Sequence, residues 1–151
     1  METCGGILRT KGGRIHAISP GATVLEAVEA MCANRVGALL VCRDGVPRGI
    51  ISERDVMTRV ILQRLSPPDT HVEEVMTRDV VCVMPNTPAR EAMAVMTERR
   101  CRHLPVVVDG RVVGMISIGD LVRWASREQE AELQMLTDYV RGAVVPEFAH
   151  S

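Results

Sequence analysis

At 151 residues, 46% hydrophobic and 25% charged, the chain is composed like one compact globular domain, or two small ones packed together, and not like a disordered segment. Its formal net charge of −1 supplies no basic field to draw it to nucleic acid or to a membrane surface. Aromatic residues make up only 2%, namely Trp124, Tyr139 and Phe148, too few to build a platform on which single-stranded bases stack.

The opening METCGGILRTKGGR lacks the apolar stretch of a signal peptide. The longest apolar runs, VGALLVC and LPVVV, are strand-sized, so a cytoplasmic protein is expected. The first strand is predicted over IHAIS, followed by a turn at Pro20. Leu25, Val28, Met31 and Cys32 then recur at i, i+3, i+6 and i+7 and predict an amphipathic helix. VGALLV reads as a strand, Asp44-Gly45 as a hairpin turn and RGIIS as the returning strand. Ser52 is placed to cap a helix starting near Glu53. The turn-rich stretch LQRLSPPDTH is a link.

The same order then recurs. VVCVM, Pro85, a helix with Met93 and Met96, the strand HLPVVV, the turn Asp109-Gly110, the strand VVGMIS and a Ser117-capped helix near Ile118 follow in turn. Gly49 falls on Gly114 at an offset of 65 residues. The same offset carries Glu26-Ala27 onto Glu91-Ala92, Arg35 onto Arg100, Ser52 onto Ser117 and Asp55 onto Asp120. Shared Gly, Ser and Asp positions mark turns and polar contacts as well as core, so this is one structural unit used twice. The expected fold is α+β, β-α-β-β-α repeated, in units of about 60 residues that bury too little surface alone. They should pack about a pseudo-twofold axis with ligand-sized clefts between equivalent edges. The expected units are 7–66 and 72–127, with a C-terminal helix over 128–142 and a loosely held tail over 143–151. That helix gathers Leu133, Met135, Leu136, Tyr139 and Val140, with Glu128, Glu130 and Glu132 on its exposed side. It either packs on the chain's own core or forms a dimer contact.

Five cysteines without a CxxC spacing fit neither a disulfide framework nor a zinc site. Cys32, Cys42 and Cys82 lie in apolar surroundings and read as small buried hydrophobes in a reducing compartment. His16, His71, His103 and His150 sit on separate segments without a catalytic partner. No catalytic residue, catalytic cofactor or metal is expected.

The motifs GIISERD and GMISIGD share the pattern Gly-apolar-apolar-Ser-x-x-Asp, each preceded by an apolar strand and an Asp-Gly turn. With VEEVMTRDV opening the second copy, residues of about 10–127 resemble a CBS domain pair, or Bateman module. The ending QMLTDYVRG adds a likeness to small stand-alone bacterial members. The resemblance implies an adenine-containing ligand (AMP, ADP, ATP, NAD(H) or S-adenosylmethionine) and a flat homodimer. It also implies a non-catalytic sensor or regulatory role in signal transduction toward a protein partner it does not identify. A ligand-independent, dimeric partner-binding module is the alternative.

The chemistry of the motif suits such a ligand. Asp55 and Asp120 are acceptor-only carboxylates able to take both hydroxyl protons of a ribose diol. Ser52 and Ser117, with the free N–H groups of the first helical turn, form an anion site; as plain structure they are an N-cap and an early-turn charge. Gly49 and Gly114 admit close approach of a ligand or of backbone. Arg54 can clamp a phosphate, whereas Gly119 at the equivalent position offers only backbone. Arg102 and His103 are expected to face the cleft and meet phosphate or base, with a half-buried structural histidine as the other reading of His103. The resemblance places adenine in an apolar slot of His16, Ala17, Val36, Gly37 and Ala38 on one side and Val81, Cys82 and Val83 on the other. Ile50, Ile51, Met115 and Ile116 serve equally as slot wall or as core.

Overall fold

The computed structural model describes residues 1–12 and 14–143, and residues 144–151 of the expected tail lie outside the described residues. Each Asp-Gly pair closes a hairpin: β2 (Ala38–Arg43) against β3 (Val46–Ser52), and β4 (His103–Val108) against β5 (Arg111–Ser117). Asp44 and Gly45 have φ of 54° and 76°, Asp109 and Gly110 of 51° and 78°. Two successive positive φ values make the type I′ turn, whose twist matches that of the strands.

Helices α2 (Val24–Asn34) and α5 (Ala89–Arg99) cover the hairpins. Their buried residues are Val24, Ala27 and Met31, and Ala89, Ala92 and Met96. Of the apolar face expected on Leu25, Val28, Met31 and Cys32, Met31 is buried and Val28 packs on the first core, but the face is rotated away from the other two: Leu25 is 40% exposed and Cys32 is exposed. The small residues Ala27 and Ala92, both fully buried, let the helix sit close to the strands, and the contact centres on them.

The first strand survives in one copy only. β1 (Ala17–Ile18) runs parallel to β2, but the strand expected over VVCVM shrinks to a single bridge between Val83 and Val106. Pro105 gives the reason. Its counterpart Leu40 donates its N–H to the His16 carbonyl at 3.0 Å; proline has no N–H to give. Val83 keeps its two bonds, N–H to the Pro105 carbonyl at 2.9 Å and carbonyl to the Val107 N–H at 2.8 Å.

The segments leading each repeat are exchanged. Helix α1 (Cys4–Lys11) places Cys4 and Ile7 in the core of the second repeat, among Val83, Leu104, Val106, Ile116 and Leu121. The short helix α4 (Val72–Val75) places Val72 and Val75, with Met76, among Val24, Leu39, Ile51 and Val60 of the first. The backbone bonds correspond. Val24 N–H donates to the Thr70 carbonyl and Val72 N–H to that of Ala22; Ala89 N–H donates to Glu2 and Cys4 N–H to Thr87, all at 2.8–2.9 Å. Each core is thus completed by residues from outside its own sequence unit. Nothing in the sequence marks α1, because Gly5 and Gly6 weaken helix propensity there; Thr3 caps it by accepting from the Gly6 N–H.

After β3, α3 (Glu53–Asp55) runs into a wide π-type turn over Val56–Ile61. After β5, α6 (Ile118–Ala143) is one continuous element of 26 residues. It takes in both the helix expected near Ile118 and the one expected over 128–142, since neither Gly nor Pro interrupts residues 120–141. Leu121 and Trp124 pack on the second core, but Leu133, Leu136 and Tyr139 are 63%, 61% and 76% exposed, so they do not pack on the chain's own core. No helix among the described residues is long and apolar enough to cross a membrane.

Candidate functional site

A cleft of about 440 Å³ lies between the strand-to-helix turn of the first repeat and the opening of the second. Ser52 ends β3 in extended backbone and caps α3. Its Oγ accepts the Asp55 N–H at 3.2 Å, while Asp55 Oδ2 accepts from the Ser52 N–H at 2.9 Å and its hydroxyl at 3.0 Å. This reciprocal box satisfies two orphan donors of the helix start. Thr77, in the segment that opens the second repeat, donates its hydroxyl to Asp55 Oδ1 at 3.2 Å. Asp55 is consequently buried, 8% exposed, yet fully hydrogen-bonded.

Arg54, Arg100 and Arg102 line the cleft, and none of the three is in an ion pair among the described residues. Of the acids in the lining, Asp79 faces Arg99 at 3.5 Å, Asp55 is held as above, and Glu53 is exposed. Ile50, Val80 and Val81 form an apolar wall beside Gly37 and Cys101. His103, at the start of β4, is half-buried at the cleft edge. Burial, then the Lys11 charge, hold its imidazole below the ordinary histidine range, against the opposing pull of Asp120. It offers a neutral ring with one donor and one acceptor. The lining can hold an anion by its arginines and a flat apolar group against Ile50, Val80 and Val81.

Eight of the residues named from the sequence meet here: Gly37, Ser52, Arg54, Asp55, Val81, Arg102 and His103, with Ile50 of the expected slot wall. Ala38 and Val83 are buried in the two cores, and Val36 packs on the first. His16, Ala17 and Cys82 are absent from the lining. Sequence reasoning missed Thr77 and Arg100. Arg100 had a signal, because it falls on Arg35 in the repeat and both end their helices in left-handed backbone, φ 53° and 55°. Thr77 had none, as its place follows from packing alone.

The second motif is built alike but is differently engaged. Asp120 Oδ2 accepts the Ser117 N–H at 2.8 Å, and Ser117 Oγ accepts the Asp120 N–H at 3.2 Å. Lys11 lies 2.7 Å from Oδ2 and Arg123 2.6 Å from Oδ1. Burial works to raise the Asp120 carboxyl, but Lys11 and Ser117 outweigh it and hold the group below the usual carboxylate range. Around this pair runs a separate groove of about 370 Å³ between α1 and α6, bordered by Trp124 and Arg127. Ser117 and Gly119 are not in its lining.

All five cysteines are free thiols. Cys4 is buried and pushed up to about 11, first by burial and then by Glu91. Burial also raises Cys42, Cys82 and Cys101, so none of these four is an activated nucleophile. Cys42 and Cys82 are partly buried, whereas Cys32, expected inside, is exposed. Among the described residues no His, Cys, Asp and Glu side chains are grouped to hold a metal ion.

Comparison with known proteins places these features in context. The family model described as CBS domain matches residues 10–62 and 72–127. The chain is 42% identical over 125 residues to the CBS domain-containing protein CBSX3, mitochondrial, of Arabidopsis thaliana, covering 80% of this chain and 61% of that relative. Less than two thirds of that relative's length is therefore spanned. A solved CBS domain, NE2398, is 44% identical with a TM-score of 0.78, covering 82% of this chain and 97% of that one. The CBS domain protein PAE2072 from Pyrobaculum aerophilum, solved in complex with AMP, is 25% identical with a TM-score of 0.71, covering 79% and 89%.

Proposed function

The chain belongs to the CBS-domain family, and from that premise we propose that it is a non-catalytic, cytoplasmic sensor or regulatory module that binds an adenine nucleotide in the first cleft. The observation that carries the reading is that Arg54, Arg100 and Arg102 line one cleft together with the apolar side chains of Ile50, Val80 and Val81. Guanidinium groups recognise phosphate by paired N–H donors, and the apolar lining residues suit the flat faces of a purine. Asp55 is the acceptor for ribose hydroxyls, which would take the place of the Thr77 hydroxyl on its Oδ1. His103 supplies a neutral hydrogen-bonding edge. The cation content favours AMP, ADP, ATP or NAD(H) over the sulfonium cation of S-adenosylmethionine. The solved AMP complex of PAE2072 supports an adenylate in a pair of this kind.

A thermal-shift panel of AMP, ADP, ATP, NAD+, NADH and S-adenosylmethionine tests the reading. A ligand at 100 times its dissociation constant stabilises by about 2.7 kcal/mol, a readily measured rise. Stabilisation by at least one adenine nucleotide is expected. No shift with any of them would sink the proposal.

A second reading, a ligand-independent homodimeric module for a protein partner, is favoured by one observation. Leu133, Leu136 and Val140 recur at i, i+3 and i+7 along the free part of α6, all more than half exposed. An apolar stripe of this kind is rarely left to water. Light scattering distinguishes the outcomes: a dimer lost on Leu136→Lys supports self-association through α6, and a monomeric wild type removes it.

A further inference from the structure

The two motif carboxylates are closed by different chemistry. In the first repeat the edge of β3 at Ile50 pairs with Thr77, whose backbone accepts at 2.9 Å and donates back at 2.8 Å, and the Thr77 hydroxyl reaches Asp55. Met115 and Asp120 stand 65 residues on from Ile50 and Asp55. There a single ammonium makes both contacts: Lys11 Nζ donates to the Met115 carbonyl at 2.9 Å and to Asp120 Oδ2 at 2.7 Å. Arg123 Nη2 holds the other oxygen at 2.6 Å. Asp120, 5% exposed, therefore has a cation on each oxygen. Asp55 has a backbone N–H and two hydroxyls, with Arg59 Nε at 3.8 Å.

The difference decides how easily each carboxylate takes a ligand. A ribose diol brings two neutral O–H donors. At Asp55 it has only to displace the Thr77 hydroxyl, a like-for-like exchange. At Asp120 the Arg123 side chain on Oδ1 is 64% exposed and can swing into solvent, but on Oδ2 the diol must displace the less exposed Lys11 ammonium from a short, charge-assisted bond and leave that charge beside the ligand. Lys11 is the last residue of α1, directly before Gly12 at φ 75°. The helix itself is anchored by Cys4 and Ile7. The contact can thus open by swinging one side chain, without loss of the core.

We propose that Lys11 is an internal ligand that keeps the second motif closed, so that each chain takes up one adenine nucleotide, in the first cleft, until Lys11 is drawn away. The proposal rests on the nucleotide reading above. It makes Lys11 the residue that sets stoichiometry.

The test is calorimetric titration of AMP into the full chain, with Lys11→Met, Lys11→Arg and the double variant Lys11→Met with Asp120→Asn. Removing the competitor raises the population of the open second site, so about one AMP per chain is expected for wild type and for Lys11→Arg, and about two for Lys11→Met. The double variant should return to the wild-type value. Should Lys11→Met melt early, Lys11→Gln, which keeps an N–H donor for the Met115 carbonyl, replaces it with the same expectation. Two sites in wild type, or a Lys11→Met stoichiometry unchanged or reduced, would overturn the latch while leaving the nucleotide reading in place. Binding only after Lys11 is changed would support the latch and overturn the assignment of the first cleft. No binding by any of the proteins would overturn both.

Discussion

Gly49 lies directly under Thr77, where the second repeat opens: a Cβ at position 49 would stand 2.7 Å from the Thr77 carbonyl oxygen and 2.6 Å from Met76 Sδ. The motif glycine therefore serves the approach of the exchanged segment, whose backbone pairs with Ile50. Its counterpart Gly114 faces the side-chain tip of Leu8, also at 2.7 Å. A flexible tip can move and a hydrogen-bonded backbone cannot. Gly49→Ala should accordingly destabilise by about 1–3 kcal/mol, the range of overpacking changes, and Gly114→Ala by less. Urea unfolding of the two variants checks the order.

Asp55→Ala removes the acceptor for the Ser52 N–H, the Ser52 hydroxyl and Thr77. Loss of a cap and of buried hydrogen bonds costs about 1–3 kcal/mol. The variant should fold but melt earlier, and should also bind nucleotide more weakly. Thermal melts with and without AMP separate the two effects, since the stability loss persists without ligand.

Removing one charged hydrogen-bond donor to phosphate costs about 1.5–3 kcal/mol, which corresponds to roughly 10- to 150-fold in affinity. Arg54→Ala, Arg100→Ala and Arg102→Ala should each weaken AMP in this range and leave adenosine binding nearly unchanged. Paired titrations with AMP and adenosine measure the contrast, and equal losses for both ligands would refute a phosphate role.

Burial and Lys11 lower the His103 imidazole in the folded chain from the ordinary value of 6.5. Below that value the unfolded chain binds the proton more readily than the folded one, so stability rises with pH across this window. The contribution is complete above about pH 6.5 and is lost as pH falls toward the depressed folded value. His103→Gln should flatten this part of the profile. Urea midpoints for both proteins between about pH 5 and about pH 8 are the measurement.

Much of each repeat was legible because its determinants are local. Asp-Gly sets the hairpins through two positive φ angles, and Ser-x-x-Asp closes a cap over three residues. Three misreadings have specific physical causes. The expected helix face of Leu25, Val28, Met31 and Cys32 keeps Met31 and Val28 but misplaces Leu25 and Cys32, because larger apolar residues dominate a periodicity whereas close packing also selects Ala27. VVCVM read as a strand by composition, but the missing N–H of Pro105 lay in the strand it had to join. Gly5-Gly6 hid α1 because its stability comes from Cys4 and Ile7 packing on a distant sheet.

The sequence by itself determined the doubled unit, its hairpins and caps and the carboxylate at each motif, since an offset of 65 residues and turn chemistry are written along the chain. Tertiary structure alone decided which distant groups meet those carboxylates. Thr77 lies 22 residues from Asp55, and Lys11 lies 109 residues from Asp120. Contacts over such separations arise from the exchange of leading segments between the two cores, and no local periodicity records them.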